Sequence, residues 1–473
     1  MTINSGRFLL FLFVVWAVWR MLPKGAAPRI LLAASVFFYA SSNLRHLGVI
    51  LLVAGFNYAT VQKLTAWTVG RKRDLLFSLA VTLDIGLLLF YKWGAIYLDP
   101  RATPAALRDV LPASGANRVA FPLGLSFFIF QMVSCVTDVY RRKYQWVSGA
   151  GSFFLFALFF PQISAGPIPR ASVLVPQLTS PRRLAPGDLE AGVSLFAYGL
   201  FKKLVVANRL QVYVDHLFSY HDMPKSTIPV LLAFVFNGLR LYTDFSGYTD
   251  MARGAARLFG IDLAENFNHP FRAESVTDFW QRWHMTLSHW LRDYLYKPIV
   301  FRLRRLGNNT AVGISVVFTF LVCGLWHQLS WPFAVFGLLH GTALCLEFLT
   351  RQSRYVWVKK WPWLGTCWVG RSYVFAFFVL TGVLFRANSL SQAWEFYGKV
   401  VVPTLPASLP DLFAYSDPPL FFLNFVALGL WGVVAAVRPK WAEHYCAWFV
   451  LLCAMNILVF GTGGGREFTY VAF

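Results

Sequence analysis

Charge is scarce in this sequence, and most of what there is has one sign. Asp, Glu, Lys and Arg make up 14% of the 473 residues, against 57% hydrophobic, whereas ordinary soluble chains carry roughly 25% charge. That shortfall excludes a soluble multi-domain enzyme and places the chain among polytopic membrane proteins. Acidic residues number 22 against 43 Lys and Arg, for a formal net charge of +21. A concentrated basic domain is missing, however. The cations sit in short loops between apolar runs, which argues against nucleic-acid binding. Loops facing an anionic leaflet account for them, and such loops would also attract an anionic substrate.

The six cysteines, Cys135, Cys323, Cys345, Cys367, Cys446 and Cys453, include no CxxC pair. Reduced packing residues are expected from them, with no disulfide framework and no zinc site. Histidine pairs at i, i+4 are lacking: His216 and His221, like His284 and His289, stand five apart, which speaks against a membrane di-iron or haem enzyme. No internal repeat is visible, and with it goes a common mark of a transporter or flippase, the alternative class that also places polar groups and broken helices at mid-membrane depth.

What the chain has in quantity is apolar runs. Residues 7–22 form the first, followed by PKGAAPR. That flank is like a signal-peptide cleavage site, but the many runs downstream favour an uncleaved first span. Further runs lie near 29–43, 46–62, 75–91, 121–138, 152–165, 190–210, 227–243, 311–326, 331–349, 372–386, 419–437 and 445–460. Several fall short of the ~20 residues that crossing needs, so tilted, broken or re-entrant segments are expected among about ten or eleven true crossings. The Pro-rich stretches 100–122, 161–187 and 403–419 read as loops. A single integral membrane domain over residues 1–473 is the expected organisation.

Two connecting segments carry more than linker chemistry. FFPQISAGPIPR, Phe159 to Arg170, breaks an apolar run with Pro161, Gly166, Pro167 and Pro169, which no continuous helix tolerates. Non-helical backbone at membrane depth survives only under cover of protein or of a water-filled cavity, so a re-entrant element lining a funnel and an ordinary loop both fit. The second segment, Leu241 to Phe271, sets Asp244, Asp250 and Arg253 beside Gly247, Gly254 and Gly260. Asp250 and Arg253, three apart, have the spacing for a pair on one helix face, and the small residues suit close helix approach. A salt-bridged packing site and a substrate contact remain open for this segment.

The chain is organised around Asp278 to His340, which opens DFWQRWHMTLSHWLRDYLYKPI and closes CGLWHQLSWPFAVFGLLHG. Trp280, Trp283, Trp290, Tyr294 and Tyr296 alternate there with Arg282, Arg292, Asp293 and Lys297, which suits an interfacial helix. After the basic break at Arg302, Arg304 and Arg305, an apolar run carries Trp326 and His327 towards mid-membrane depth. Ionisable groups at such depth are expensive and usually face an interior cavity, which makes His327 the first functional candidate. His284 and His289 lie about 140° apart on a helical wheel of 100° per residue and do not share a face. His46, His216, His221, His269 and His444 fall in loops or at segment ends, where solvated or capping roles are expected. His340, ending LLHG, is a further candidate.

These motifs, together with FPLGLSFFIFQMVSCVTDVYR (Phe121 to Arg141) and GVLFRANSLSQAW (Gly382 to Trp394), make the chain resemble the bacterial branch of the membrane-bound O-acyltransferases. That branch includes the alginate O-acetylation membrane subunit and the membrane subunit of teichoic-acid D-alanylation. One departure is visible: family members commonly read GLWHG where this chain has GLWHQ, so Gln328 bears on the size of the donor pocket. The resemblance implies an all-α fold with a ring of tilted transmembrane helices and re-entrant segments around a central tunnel. His327 matches the family's essential histidine, and His284, next to Trp283, its second. Acyl transfer to a hydroxyl needs a base near neutral pH, which imidazole supplies. His284, Gln328 or a backbone N–H could then steady the oxyanion.

Candidate substrate contacts are Arg282, Trp283, Asp244 and Gln328. By resemblance, the activity is O-acyl transfer, most simply acetyl, with acetyl-CoA as the cytoplasmic donor and no bound cofactor or metal. The donor approaches the basic region around Arg282, Arg292, Lys297, Arg302, Arg304 and Arg305, and the acyl group passes through the tunnel to a separate extracytoplasmic transferase. The acceptor is an exported or cell-surface polysaccharide, and the setting is the bacterial cytoplasmic (inner) membrane. The chain ends GTGGGREFTYVAF, where Phe468, Tyr470 and Phe473 are similar to an aromatic C-terminal motif of this family or of its small partner subunits. That likeness implies an acyl relay on the Tyr470 hydroxyl; an aromatic interface anchor is the alternative.

Overall fold

The computed structural model describes residues 1–93, 121–182, 184–219, 226–405, 418–444 and 446–461. Among them the secondary structure is helical, with a lone antiparallel bridge between Phe267 and Trp283. Seven helices are long and apolar enough to cross a membrane: Leu44–Ala66, Arg71–Lys92, Thr227–Arg257, Asn308–His327, Trp331–Leu349, Cys367–Phe385 and Pro419–Arg438. Shorter apolar helices span Ala27–Ala40, Leu125–Tyr140 and Cys446–Phe460. The protein is therefore an all-α, multi-pass membrane protein. Outward faces are apolar at helical spacing, as with the exposed Leu75, Leu79 and Leu83, which is the pattern a lipid-facing stripe requires.

Fewer long helices form than the apolar runs suggested, because four runs give shorter helices, Gly6–Met21, Ala27–Ala40, Leu125–Tyr140 and Cys446–Phe460, and two more are broken. The run near 152–165 yields the nine-residue helix Ala150–Leu158 and then turns and bends through Pro161 and Gly166. That irregular stretch is buried throughout from Phe159 to Ile168. Its polar backbone finds partners inside the protein: Phe160 N–H donates to Ser35 Oγ at 3.1 Å, Gly166 N–H to the Gln162 carbonyl at 2.7 Å, and Ile168 N–H to Thr286 Oγ1 at 3.1 Å. Protein cover thus meets the condition for non-helical backbone in an apolar setting. The Pro-rich stretch 161–187 is not all loop, since Ala171–Thr179 is helical despite Pro176. Its buried Ala171, Leu174, Val175 and Leu178 follow the i, i+3, i+4, i+7 rule.

The second broken run starts as helix Asp188–Phe201 and widens into a π-helical segment over Lys202–Ala207. It packs on Thr227–Arg257 through facing glycines. A Cβ at Gly199 would sit 2.5 Å from the Gly247 carbonyl oxygen, and one at Gly254 2.6 Å from that of Gly192. Backbones this close let two buried lysines reach acids on the neighbouring helix: Lys203 Nζ lies 2.6 Å from Asp244 and Lys202 Nζ 2.8 Å from Asp250. The expected Asp250–Arg253 pair does not form. Asp250 faces the glycine seam and its lysine, while Arg253 turns to the edge and meets Glu265 at 2.9 Å.

Two clusters of buried apolar side chains result, one built mainly from residues 3–178 and the other from 198–241 and 320–453. The segment Val276–Leu291 belongs to both, with Trp280 and Trp283 in one and Leu287 and Trp290 in the other.

The glycine seam is testable. Gly199→Ala places a methyl against backbone and is expected to destabilise the protein by roughly 1–3 kcal/mol, the usual scale of overpacking. Gly429→Ala, where nothing lies within 4 Å of the new Cβ, is expected to leave the thermal midpoint in detergent unchanged or slightly raised. An unaltered midpoint for the Gly199 variant would contradict the contact.

Candidate active site

The stretch read from sequence as one interfacial helix is two short helices, Val276–Arg282 and Met285–Leu291, joined at Trp283 and His284. His284 adopts the left-handed conformation (φ 43°, ψ 51°), a cost a non-glycine residue bears only when its surroundings over-determine it. Here they do. Asn266 lies beneath the turn, its carbonyl accepting from Met285 N–H at 3.0 Å. Its side-chain Oδ1 accepts from Thr286 N–H at 3.1 Å and Thr286 Oγ1 at 2.9 Å, and stands 3.1 Å from His284 Nδ1. Because the Thr286 amide can only donate, the Asn266 atom it meets is the oxygen, and His284 Nδ1 must carry a proton to bond it. Neutral His284 is therefore the Nδ1–H tautomer, with Nε2 as the proton-accepting nitrogen.

Helix Val276–Arg282 is fastened to Trp331–Leu349 at two levels. The buried Glu347 carboxylate accepts from Val276 N–H (2.7 Å), Thr277 N–H (2.9 Å) and Thr277 Oγ1 (2.7 Å), satisfying amides that a helix N-terminus leaves open. Two turns away, Trp280 Nε1–H donates to His340 Nδ1 at 3.1 Å. His340 Nε2–H then donates to Thr381 Oγ1 at 3.0 Å, and that hydroxyl to the Phe377 carbonyl at 2.8 Å. Both nitrogens of His340 are thus engaged and its tautomer is set, so it braces three helices rather than standing ready as a base.

His327 ends the helix Asn308–His327 and is buried among the rings of Trp326, Phe333 and Phe385, with Phe385 edge-on at 5.0 Å. The carbonyls of Trp326 and His327 accept from Lys92 Nζ, the latter at 3.2 Å. His284, His327 and His340 line one small cavity with Trp280, Trp283 and Phe385. Its volume is about 10 Å³, room for roughly one water. The cavity abuts a wider pocket of about 500 Å³ that holds His289, Arg292, Tyr296, Gln281 and Ser288, and Trp280 belongs to both.

Of the residues singled out from sequence, His284, His327, His340 and Trp283 meet at the cavity. Arg282 does not: it is half-buried outside, with Nε 2.7 Å from Asp278. Asp244 is taken up by Lys203 in the glycine seam. Gln328, weighed as an oxyanion donor and pocket wall, is exposed and lines no part of the cavity, because the helix stops at His327 and the next residue is extended (φ −154°, ψ 139°). His289 is separate from His284, as expected, but through the chain break at His284 rather than wheel angle. His46 lies at a segment end, in the first turn of Leu44–Ala66, and is buried there rather than solvated.

In the basic region, Asp293 gathers Arg170, Arg292 and Lys297 within 3.2 Å. Burial works against its charge, but the hydrogen bonds from Lys297 and Arg292 prevail and hold its carboxyl below the usual range. Arg302, Arg304 and Arg305 are exposed beyond it. Tyr470, Phe468 and Phe473 lie outside the described residues. Among the described residues no three His, Cys, Asp or Glu side chains gather as a metal-binding group. Asn266, Lys92 and the roles of His340 and Glu347 were not foreseen. Asn266 lies within the Leu241–Phe271 segment, and an intramembrane lysine at 92 was the one signal that could have been followed.

The sequence pattern of the family described as MBOAT, membrane-bound O-acyltransferase family, matches residues 118–385. The chain is 32% identical to a probable alginate O-acetylase AlgI of Azotobacter vinelandii over 84% of this chain and 77% of that protein. It is 31% identical to a peptidoglycan O-acetyltransferase of Helicobacter pylori, over 77% and 71%. With a teichoic acid D-alanyltransferase of Bacillus subtilis it shares 30% identity over 52% and 63%. The matched region contains all three cavity histidines and the helices that carry them, and the chain belongs to the membrane-bound O-acyltransferase family.

Proposed function

We propose that this acyltransferase moves an acetyl group from a cytoplasmic thioester, acetyl-CoA, across a bacterial cytoplasmic membrane for O-acetylation of an exported or cell-surface polysaccharide. Residues 1–473 act as one integral membrane unit, with a tunnel between the two faces and a separate extracytoplasmic transferase receiving the acyl group. The observation that carries this reading is the meeting of His284 and His327 on one small cavity, with the tautomer of His284 set by Asn266. The relatives named for O-acetylation of alginate and peptidoglycan support acetyl transfer to a glycan. A transporter or flippase has no such support.

His327 takes the proton from the attacking hydroxyl as its oxygen bonds to the thioester carbonyl carbon. The tetrahedral intermediate collapses, the carbon–sulfur bond breaks, and the leaving thiolate receives the proton. Neutral His284 presents an acceptor nitrogen, so it serves as a second proton acceptor beside His327 and not as an oxyanion donor. The first hydroxyl acylated is that of Tyr470, which forms an aryl ester. A phenol is a better leaving group than a sugar hydroxyl, so this ester hands the acyl group on to the outer transferase. Trp283 walls the cavity, and the basic surface from Arg292 to Arg305 draws in the anionic donor.

Removing the base is expected to cost on the order of 10²–10⁴ in rate. His327→Ala should therefore abolish polysaccharide acetylation while the protein still inserts, and near-normal acetylation would sink the assignment. Asn266→Ala leaves both histidines but frees the tautomer of His284, so acetyl transfer is expected to fall at least about tenfold with insertion intact, in line with the penalty of a misplaced imidazole tautomer. Tyr470→Phe removes only a hydroxyl. The relay requires loss of acetylation and, in a strain lacking the outer transferase, an acetyl adduct on Tyr470 of the wild-type C-terminal peptide by mass spectrometry. Full activity of the Phe variant would leave only the anchor.

A further inference from the structure

Lys92 stands in the last turn of the membrane-crossing helix Arg71–Lys92, where an ammonium is costly unless it has work to do. Its partners are the end of another helix. Nζ donates to the carbonyl oxygens of Trp326 and His327 and lies 5.2 Å from the centroid of the Trp326 indole ring. Those carbonyls belong to the last turn of Asn308–His327, which has no intrahelical donors for them. Gln328 N–H reaches back only to Gly324 O, at a long 3.4 Å. A cation there also meets the negative end of the helix macrodipole and the face of an aromatic ring. His284 is held by Asn266, His340 by Trp280 and Thr381, and Arg386, next to Phe385, turns to Asp215 at 3.0 Å.

We infer that Lys92 is a positioning residue for His327: its ammonium closes the C-terminal end of the His327 helix and holds the imidazole in register with the cavity it shares with His284. The inference rests on His327 being the base proposed above. Three properties of Lys92 act together: reach from a separate helix, positive charge, and more than one N–H. Arginine keeps all three, glutamine keeps only donors, and methionine keeps only bulk. Displacement of a catalytic group by about 1 Å can lower turnover on the order of a hundredfold without touching the substrate. A residue of this kind therefore changes kcat and leaves KM alone.

The test is steady-state acetyl transfer by the full-length protein in membranes, with acetyl-CoA as the donor, for Lys92→Arg, Lys92→Gln and Lys92→Met, alongside His327→Ala and thermal midpoints for each. The expected result is a kcat about ten- to a hundredfold lower for Lys92→Met at unchanged KM, a smaller loss for Lys92→Gln, and recovery towards wild type for Lys92→Arg. A Lys92→Met enzyme with wild-type kcat overturns the inference. So does a rise in KM at constant kcat, which would make Lys92 a donor contact. Loss of kcat and thermal stability together, with no rescue by arginine, overturns it as well and leaves an ordinary structural cap. Activity in His327→Ala would instead overturn the assignment of the base, whatever the Lys92 variants do.

Discussion

A polar group inside an apolar surround must find its partner within the protein, and the site depends on how this chain meets that demand around residue 284. The helices Val276–Arg282 and Met285–Leu291 carry helix-end amides, an indole N–H and, at the break between them, a left-handed histidine into the interior. Each is taken up by a side chain from elsewhere: Glu347 at the start, His340 in the middle and Asn266 at the break. The same contacts that make the break tolerable also set where His284 points and which of its nitrogens accepts a proton. Burial and the orientation of His284 are one arrangement here.

The seam between Asp188–Phe201 and Thr227–Arg257 meets the demand differently. Gly192, Gly199, Gly247 and Gly254 bring the backbones into contact, so Lys202 and Lys203 need little reach to neutralise Asp250 and Asp244. Removing one partner of such a buried pair leaves an uncompensated charge and costs about 3–5 kcal/mol. The intact pairs add little net stability, because desolvation of both charges offsets their attraction. Phe245, on the Thr227–Arg257 helix between Asp244 and Gly247, stacks edge-on against the His284 ring at 4.6 Å, so the register of the seam reaches the site.

Local chemistry was legible in the sequence and tertiary partnership was not. Apolar runs gave away the membrane class, Pro161 to Pro169 a stretch that cannot be helical, and Trp283, His284 and His327 the cavity, because each signal lies within a few neighbouring residues. Asp250 shows the limit. Arg253 has the right spacing for it, yet Lys202 lies nearer across the glycine contact, and spacing along one helix carries no knowledge of the next. Gln328 fails similarly: adjacency to His327 suggested a shared pocket, but the helix ends between them and the chain direction changes. Asn266 and His284 are 18 residues apart and meet only because the chain bridges at Phe267 and Trp283.

The sizes of the two spaces around Trp280 extend the same logic to access. The histidine cavity, at about 10 Å³, admits about one water, whereas the neighbouring pocket with Arg292 and Tyr296 holds about 500 Å³. Trp280 lines both spaces. That ring is tied by its N–H to His340, and its helix is tied at the N-terminus to Glu347. The Trp280–His340 hydrogen bond therefore has two effects: it holds the helix that leads into the His284 turn, and it fixes the ring that lines both spaces. Because the same side chain lines both spaces, a change at His340 that frees the Trp280 ring alters the histidine cavity and the wider pocket together.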